Sequence, residues 1–481
     1  MVQFSPTSAT CTLQKYPADA AIPALPKRNA MPETCCCCEL PEGAPFHSYE
    51  DVMRHLDSLG LFHMDMGLGR MESALHALGL DKAECPSVQV VGTNGKGSTS
   101  SFLQSLAMAH GLRAGLYTSP HFVRPEERIR MDRRMLPARV WPSLASSSVR
   151  AQPKLTYFEL LTVMAALAFS NSEPDLMIFE AGLGGRYDAT TALPADMVCF
   201  VPMGMDHMNV LGDTLAAIVD DKSDALRPGV AMAVSAPQPE EARDILEHKA
   251  EARNIPLCSC PTSSSCGGNS AGRALWDSLP DGLKALAVLP EDIRLGLHGP
   301  HQRMNAQTAL LAWVLLCHKY GWETSASSIR HGLEYAFIPG RLQFAPASGS
   351  RPALWLDGAH NTHGMAALVE ALKAMPADRL PGAAVFSCLG DKEPEELAAM
   401  LRDALDGAPV FVPTIRDNPR AAPGEELAAM FGPQAHAAGS LKEAVDAAAH
   451  AAAGRPVLIC GSLYLLGDVF AMWPELLEPA E

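Results

Sequence analysis

The stretch Val90-Val91-Gly92-Thr93-Asn94-Gly95-Lys96-Gly97-Ser98 decides the fold of this chain. Residues 87–91 form a short apolar run that predicts a buried strand, and residues 98–111 carry apolar side chains at helical spacing. A strand, a glycine-rich turn and a helix are the context that a phosphate-binding loop requires. Glycines let backbone N–H groups approach phosphate oxygens, while the helix N-terminus and Lys96 add positive charge. Ser98 offers a hydroxyl to a metal or a phosphate. We therefore predict phosphate binding, with an ordinary strand–helix turn as the alternative.

Length and composition limit the class of protein. The 481 residues predict more than one domain, and an apolar content of 48% is enough for a large core. A formal net charge of −16 argues against non-specific nucleic-acid binding. The 13 cysteines are odd in number and scattered, which fits a reducing compartment better than a disulfide framework. The chain has neither an apolar run long enough to span a membrane nor a secretory pattern. We expect a cytoplasmic protein without nucleic-acid or membrane partners.

Two segments read as irregular. Residues 1–45 are rich in proline and lack a hydrophobic period, so we expect a disordered or loosely attached extension. Within it, the neighbouring thiols of Cys35–Cys38 diverge and form a poor metal site. Residues 258–272 are rich in Ser, Cys and Gly, which predicts a loop. Its Cys258, Cys260 and Cys266 leave a zinc site open as an alternative, although a fourth ligand is not evident nearby.

Beyond residue 45, strand and helix patterns alternate, which predicts βαβ units and an α/β fold with a mostly parallel sheet. The resulting fold class is an N-terminal P-loop ATPase-like domain followed by a smaller C-terminal Rossmann-like α/β domain. The expected boundaries are an ATP-binding domain over 46–338, a hinge at 339–341 (Pro339-Gly340-Arg341) and a second domain over 342–481.

Polar side chains follow several of the predicted strands. Ligands of parallel sheets bind beyond the carboxyl ends of the strands, where Ser119, Glu180 and His207 lie. These residues are plausible ligands for a divalent metal, but each is also common as a solvated or structural side chain. Three glycines after Glu180 either let the backbone pass close to a ligand or make a tight turn only. Asp357 could bond a ribose or orient His360, or the two could belong to a charged turn.

Lys222 lies among three aspartates, in Asp220-Asp221-Lys222-Ser223-Asp224. Taken alone, this pattern is typical of a surface ion pair that contributes little.

These residues belong to a series of motifs that resembles the folylpolyglutamate synthase and dihydrofolate synthase family, within the Mur ligase superfamily. The resemblance runs from about Tyr49 to the C-terminus, in eight blocks of one order. The blocks are GTNGKGS (92–98), TSPH with ERIR (118–130), TYFE (156–159), EAGLGGRYDAT (180–190), MDHMNVLGDTL (205–215), HQRMNA (301–306), PGR (339–341) and DGAHN (357–361).

The resemblance implies a role for residues in each block. ATP would be held by Gly95, Lys96, Gly97, Ser98, Asn305, Arg341 and Asp357. Magnesium would be held by Ser119, Glu180 and His207. The pterin would be contacted by Thr156, Tyr157, Phe158, Glu159, Asp188 and Ala189. The resemblance also implies that Lys222 is carbamylated, which replaces the ion-pair reading, and that His360 orients glutamate or handles a proton. The chain departs from the family at Tyr187, usually leucine, at Ser223-Asp224, usually Ala-Gly, and at Thr362, usually proline.

The implied activity is an ATP-dependent ligase that adds L-glutamate to dihydropteroate, to (tetrahydro)folate, or to both. The carboxylate would be activated as an acyl phosphate before the glutamate amine attacks it. The expected cofactors are Mg²⁺, ATP as co-substrate and a monovalent cation. The expected partners are the small-molecule substrates ATP, L-glutamate and the pteroate or folate, and the expected oligomeric state is a monomer. Two alternatives stay open: another Mur-type amide ligase, acting on a cell-wall precursor or an amino-acid polymer, and a nucleotide-binding regulator without ligase activity.

Overall fold

The computed structural model describes residues 43–60, 65–82, 85–261, 265–416 and 418–479. Most of the expected extension, including Cys35–Cys38, lies outside these ranges. The described chain is already packed at its start, because Ala44 and Phe46 are buried. The Phe46 backbone N–H donates to Ser146 Oγ at 3.3 Å. The described residues contain no helix that is long and apolar enough to cross a membrane.

The first sheet has nine strands within the described residues, in the order β4-β3-β2-β5-β1-β6-β7-β8-β9. Its six central strands, from β2 to β8, are parallel, and antiparallel strands close both ends. The predicted mostly parallel sheet is therefore confirmed. The strands are β1 Ser87–Val91, β2 Ala114–Tyr117, β3 Ile129–Met131, β4 Arg134–Met135, β5 Leu176–Glu180, β6 Met197–Phe200, β7 Met232–Ser235, β8 Leu257–Ser259 and β9 Gly267–Gly268.

Helices cover both faces of this sheet. All five residues of β1 are buried because apolar layers pack on each side of it. One layer is built on α3 and α11, and the opposite face is covered by two clusters, one on α1, α2, α4 and α5 and the other, which includes Val91, on α7 and α8. The helices of this region are α1 Tyr49–Leu59, α2 Gly69–Leu78, α3 Lys96–Ala109, α4 Trp141–Ala151, α5 Tyr157–Ser172, α6 Met208–Leu211, α7 Leu215–Ser223, α8 Glu240–Ala252, α9 Ser270–Ser278, α10 Asp281–Leu286, α11 Gln302–Tyr320 and α12 Ala326–Glu334.

A second, six-stranded sheet follows residue 342 in the described chain, in the order β10-β11-β15-β12-β13-β14, and only β10 is antiparallel. Its two faces are covered by separate apolar clusters. The strands are β10 Gln343–Ala345, β11 Leu354–Leu356, β12 Ala383–Phe386, β13 Val410–Pro413, β14 Ala435–Ala438 and β15 Val457–Cys460. The helices are α13 Thr362–Lys373, α14 Pro394–Leu405, α15 Gly424–Phe431, α16 Leu441–Ala451 and α17 Leu463–Met472.

The loop predicted over 258–272 is only partly correct, because residues 260–261 and 265–266 are irregular but the rest of the described segment is mostly regular. This segment contains the end of β8, the edge strand β9 and the start of α9. Asn269 caps α9 and also binds the backbone N–H of Leu257 at 3.0 Å, which fixes the hairpin to the helix. The cysteines of this segment are buried in the apolar core, and the described residues hold no cluster of three His, Cys, Asp or Glu that fits a metal. The zinc alternative therefore has no support in the part of the chain that is described.

Candidate functional site

The predicted phosphate loop joins β1 to α3, and its glycines lie against other elements. Gly95 takes a left-handed conformation (φ 89°) as the N-cap of α3, which an L side chain rarely adopts. A Cβ atom on Gly95 would collide with Oδ1 of Asn305 on α11. The Lys96 ammonium donates back to the loop carbonyls of Gly92 (3.2 Å) and Thr93 (3.1 Å). The structure thus brings Asn305 to the loop and places a cation inside it.

Lys222 reaches the same loop from α7. Its side chain is buried, and Nζ donates to the Gly92 carbonyl oxygen at 2.9 Å. Burial, together with the nearby Lys96 charge, lowers the pKa of Lys222 to about 8. The ion pair expected from sequence alone is wrong, because Asp220 and Asp224 bind Arg186 instead.

Glu180 ends β5 beside the phosphate loop. Its Oε2 accepts a hydrogen bond from the Ser119 backbone N–H at 3.0 Å. A Cβ on Gly97 would lie 3.4 and 3.5 Å from the two carboxylate oxygens, so the carboxylate faces the start of α3. Burial raises the pKa of Glu180, while the charge of Lys96 opposes that rise. Ser119 and Glu180, predicted from separate strands, therefore meet at one edge of the sheet.

His207 follows β6 at the same edge. It takes a left-handed conformation (φ 50°), and its half-exposed ring lies 3.5 Å from an oxygen of Asp206. Burial and the charges of Lys222 and Lys96 lower the pKa of His207, against the opposing charge of Asp206. The ring is therefore favoured in the neutral form that can ligate a metal.

The residues fit a hard divalent cation. Glu180 offers a buried carboxylate, and a buried anion is stabilised by an added positive charge. Since the described residues hold no cluster of three acidic, His or Cys side chains, phosphate oxygens would have to complete the coordination.

The glycine turn after β5 is organised by Asp188. Its carboxylate accepts hydrogen bonds from the backbone N–H groups of Gly182 (2.8 Å), Leu183 (2.9 Å) and Thr190 (2.9 Å). Burial raises the pKa of Asp188, and these hydrogen bonds oppose the rise. The neighbouring Ala189 is buried as well. The structure thus gives Asp188 a role in shaping the turn.

The predicted pterin residues of α5 reach the same turn. Thr156 caps α5 in a capping box with Glu159, and both oxygens of Glu159 also bind Arg70 at 3.0 Å. Phe158 packs on Gly182, where an added Cβ would lie 2.6 Å from Cζ of the ring. The Arg128 guanidinium lies over the Tyr157 ring, with Cζ of Arg128 5.6 Å from the ring centroid. Phe158 and Asp188 therefore share the turn over 182–184.

The second sheet supplies the remaining predicted residues. Asp357 follows β11, and its carboxylate accepts hydrogen bonds from the backbone N–H groups of Leu342 and Ala359, both at 2.8 Å. The His360 Nδ1 atom lies 2.7 Å from the Gly358 carbonyl oxygen rather than on Asp357. Burial raises the pKa of Asp357 and lowers that of His360. Asp357 thus anchors the backbone next to Arg341.

A small cavity of about 50 Å³ joins the two groups of residues. Its walls include Gly97, Ser119 and Glu180 from the first sheet region and Pro339 and Arg341 from the segment before the second sheet. The predicted hinge residues therefore face the phosphate loop directly.

Sequence reasoning missed residues that shape this site. Gln302 accepts a hydrogen bond from Asn305 Nδ2 at 2.9 Å and so orients it. Its position three residues before Asn305 places both on one helix face, which is a signal that could have been used. Asp221 accepts a hydrogen bond from the Gly185 backbone N–H at 2.9 Å, and no local pattern indicates this contact.

Comparison with known proteins adds the family. The Mur ligase glutamate ligase domain matches residues 340–463. The dihydrofolate synthase/folylpolyglutamate synthase of Bacillus subtilis is 33% identical over 360 residues, which cover 72% of this chain and 81% of that protein. The chain belongs to the dihydrofolate synthase/folylpolyglutamate synthase family. This membership favours the folate activity over the other Mur-type ligases and over a regulator.

Solved structures of this family share the fold over most of this chain. Escherichia coli FolC in complex with DHPP and ADP has a TM-score of 0.72, with 29% identity, over 89% of this chain and 98% of that one. A bifunctional folylpolyglutamate synthase/dihydrofolate synthase with Mn, AMPPNP and L-glutamate bound has a TM-score of 0.70, with 27% identity, over 88% and 97% of the two chains. The predicted fold class is confirmed.

Proposed function

We propose that this chain is an ATP-dependent ligase that joins L-glutamate to dihydropteroate and to folates through an acyl phosphate. The observation that carries the proposal is the convergence of Lys96, Lys222 and Glu180 on the phosphate loop of a chain of this family. A carboxylate is a poor electrophile, so its oxygen first attacks the γ-phosphorus of ATP and ADP leaves. The glutamate amine then attacks the acyl carbon, phosphate departs, and the amine proton passes to solvent or a base.

The protein's part in this reaction is charge neutralisation and positioning. The Lys96 ammonium, now on two loop carbonyls, is placed to move onto phosphate oxygens at the start of α3. Asn305 would contact the nucleotide from α11, Arg341 from the segment before the second sheet and Asp357 from the loop after β11. Ser119, Glu180 and His207 would hold a magnesium ion, which neutralises phosphoryl charge when bound.

We assign carbamylation to Lys222. The neutral Nζ attacks the carbon of CO₂, the N–C bond forms, one C=O electron pair moves to oxygen, and a proton leaves the nitrogen. Burial favours this step because it lowers the pKa of the ammonium to about 8. The product is an anion beside Lys96, where it would support the metal site.

The pterin would lie near the turn at 182–184, with Phe158 as an aromatic wall and Thr156, Tyr157, Glu159, Asp188 and Ala189 around it. Domain boundaries at 46–338 and 342–481, with a hinge at 339–341, would let closure exclude water from the acyl phosphate. His360 would orient glutamate.

One assay tests the function. Purified protein with ATP, Mg²⁺ and L-glutamate is incubated with dihydropteroate or with tetrahydrofolate, and phosphate release is compared with product mass. Glutamylated product with at least one pterin is expected, and reactions without glutamate or pterin are the controls. If neither pterin gives a glutamylated product, the proposal is overturned.

The proposal includes action as a monomer in the cytoplasm. Seven cysteines in the described part of the chain are free thiols, as a reducing compartment permits: Cys199, Cys258, Cys260, Cys266, Cys317, Cys388 and Cys460. Light scattering at micromolar concentration, with and without ATP, should give the mass of a single 51.3 kDa chain. A stable dimer would contradict this part.

A further inference from the structure

Asp224 lies two residues after Lys222, where the family usually has glycine, and its carboxylate binds three cations. Oδ2 accepts a hydrogen bond from Arg186 Nε at 2.6 Å. Oδ1 accepts from Lys249 Nζ at 2.9 Å and from Arg253 Nη2 at 2.6 Å. Although burial opposes ionisation, these bonds lower the pKa of Asp224 to about 2. The side chain is 18% exposed, so these are partly buried contacts.

The three cations come from two neighbouring elements. Arg186 belongs to the glycine turn after β5 and also binds Asp220 Oδ2 at 2.7 Å. Lys249 and Arg253 belong to the end of α8, and Arg253 Nη1 also donates to the Leu226 carbonyl at 2.7 Å. Asp224 therefore ties the last turn of α7 to the glycine turn on one side and to α8 on the other.

The same network decides which carboxylates Lys222 meets. Residues two positions apart on a helix do not face each other, so Asp220 and Asp224 lie away from the Lys222 side chain. Asp221 is occupied by the Gly185 backbone N–H. Gly185 itself lies so close to the Lys222 backbone that a Cβ there would collide with it. Lys222 is thus held against the phosphate loop, with the Gly92 carbonyl as its hydrogen-bond acceptor.

We infer that Asp224 is a positioning residue for Lys222: its ion pairs fix the end of α7 so that the Lys222 amine stays at the phosphate loop, free of carboxylate partners and open to CO₂. This inference rests on the carbamate assigned above. Without the Asp224 charge, Arg253 loses this carboxylate, and Arg186 and Lys249 keep Asp220 as their carboxylate partner on α7, so the end of the helix is held by fewer ion pairs.

The test compares Asp224→Asn with the full-length parent. We expect kcat to fall about tenfold while the KM for ATP changes little, as for a coupled neighbour of a reacting group. In ¹³C-bicarbonate buffer, the carbamate carbon signal should fall with kcat, and excess bicarbonate should restore part of both. Asp224→Glu keeps the charge and should retain most of the activity. Asp446→Asn is the matched control, because it breaks an exposed pair with Lys442 (2.6 Å) on α16.

A carbamate signal that survives in Asp224→Asn at parental intensity overturns the inference, whatever happens to the melting temperature. If Asp224→Asn does not fold, Lys249→Met removes one partner and leaves Arg186 and Arg253 in place; the same loss of signal is then expected on a smaller scale. A parent that ligates glutamate without any carbamate signal overturns the inference but not the ligase function. A parent that shows the signal without ligation fails the proposed function instead.

Discussion

At the residue scale, the site is dominated by two lysines on one carbonyl. Lys96 and Lys222 both donate to the Gly92 oxygen, at 3.2 and 2.9 Å. Two ammonium groups so close repel each other, and the buried one yields its proton more readily. Of the pair, the buried Lys222 is therefore the group that readily becomes a neutral amine.

Lys96→Ala should lower kcat by about a hundredfold or more, because it removes the charge that would meet the γ-phosphate. The melting temperature should stay close to that of the parent, since the ammonium binds only loop carbonyls. Steady-state phosphate release and thermal melting measure the two effects, and Lys442→Ala, on an exposed helix, is the control. Near-parental turnover would exclude this loop from catalysis.

Lys222→Met should stabilise the fold below about pH 8 in CO₂-free buffer while abolishing ligation. The pKa of Lys222 is about 8 in the folded state against 10.5 ordinarily. Below pH 8 both states carry the proton, so the fold bears the cost of burying an ammonium, on the order of 3 kcal/mol. Between pH 8 and 10.5 only the unfolded state keeps the proton on the Lys222 amine. Because the unfolded state then binds more protons than the folded state, the parent becomes more stable as pH rises. Melting curves across this range should show the difference shrinking; a difference independent of pH would refute the assignment.

Some contacts of single site residues could be predicted from the sequence, and others could not. Glu180 and Ser119 could be predicted because each follows an apolar strand, and parallel strands end at one edge. The hydrogen-bond partner of Lys222 could not be predicted. Three aspartates lie beside Lys222 in the sequence, but the geometry of α7 directs its side chain toward the Gly92 carbonyl oxygen. The three cations that bind Asp224 come from 25, 29 and 38 residues away, which no local pattern reports.

At the scale of elements, the junction of β1, the phosphate loop and α3 depends on close packing with α11. Gly95 combines a left-handed backbone with direct contact to Asn305. The N–H groups at the start of α3 can face an anion only if residue 95 has no side chain that pushes against Asn305.

Gly95→Ala should weaken ATP binding by at least about tenfold, because its Cβ would displace Asn305 and distort the start of α3. Gly111→Ala is a matched control: Gly111 also has a positive φ (78°), but a Cβ there meets nothing within 4 Å. Both should lose the stability that a left-handed alanine costs, with a further loss for Gly95→Ala from the collision, and only Gly95→Ala should lose affinity for ADP in titration calorimetry. Equal affinity in the two variants would contradict the proposed nucleotide site.

Elements differ in how well the sequence predicts them. The central parallel strands could be predicted because they are buried on both faces and read as apolar runs. The β8–β9 hairpin was missed because its Ser, Cys and Gly composition is typical of loops. Its buried Cys258 and Cys266 act as small apolar side chains, a role that depends on the neighbouring α9 and α11.

At the scale of the whole molecule, contacts join the two sheet regions directly. Asn94 of the phosphate loop meets His363 on α13 (3.3 Å), and Arg130 of β3 donates to the Leu477 carbonyl (3.1 Å). Both regions therefore contribute to one site, and no motif in the sequence predicts either contact.

Deleting residues 1–42 should leave melting temperature and ligase rate unchanged, because that segment is rich in proline and lacks the hydrophobic period by which a packed element offsets its ordering entropy. A deletion that also removes Ala44 and Phe46 should lower the melting temperature, since losing a buried Phe costs about 3 kcal/mol. Differential scanning calorimetry and the ligase assay compare the two truncations. A loss of rate in the shorter deletion would show that the segment serves the site.

The outer strands of both sheets bear on how the protein behaves when crowded. Within the described residues, the first sheet ends on the two-residue strands β4 and β9, and the second on the three-residue β10 and the four-residue β14. Unpaired N–H and C=O groups along a long, flat border would invite a second polypeptide to add itself as a further strand. Such short edge strands offer an incoming chain too few backbone N–H and C=O groups for stable pairing. Newly made copies can therefore fold next to one another without forming aggregates by strand addition.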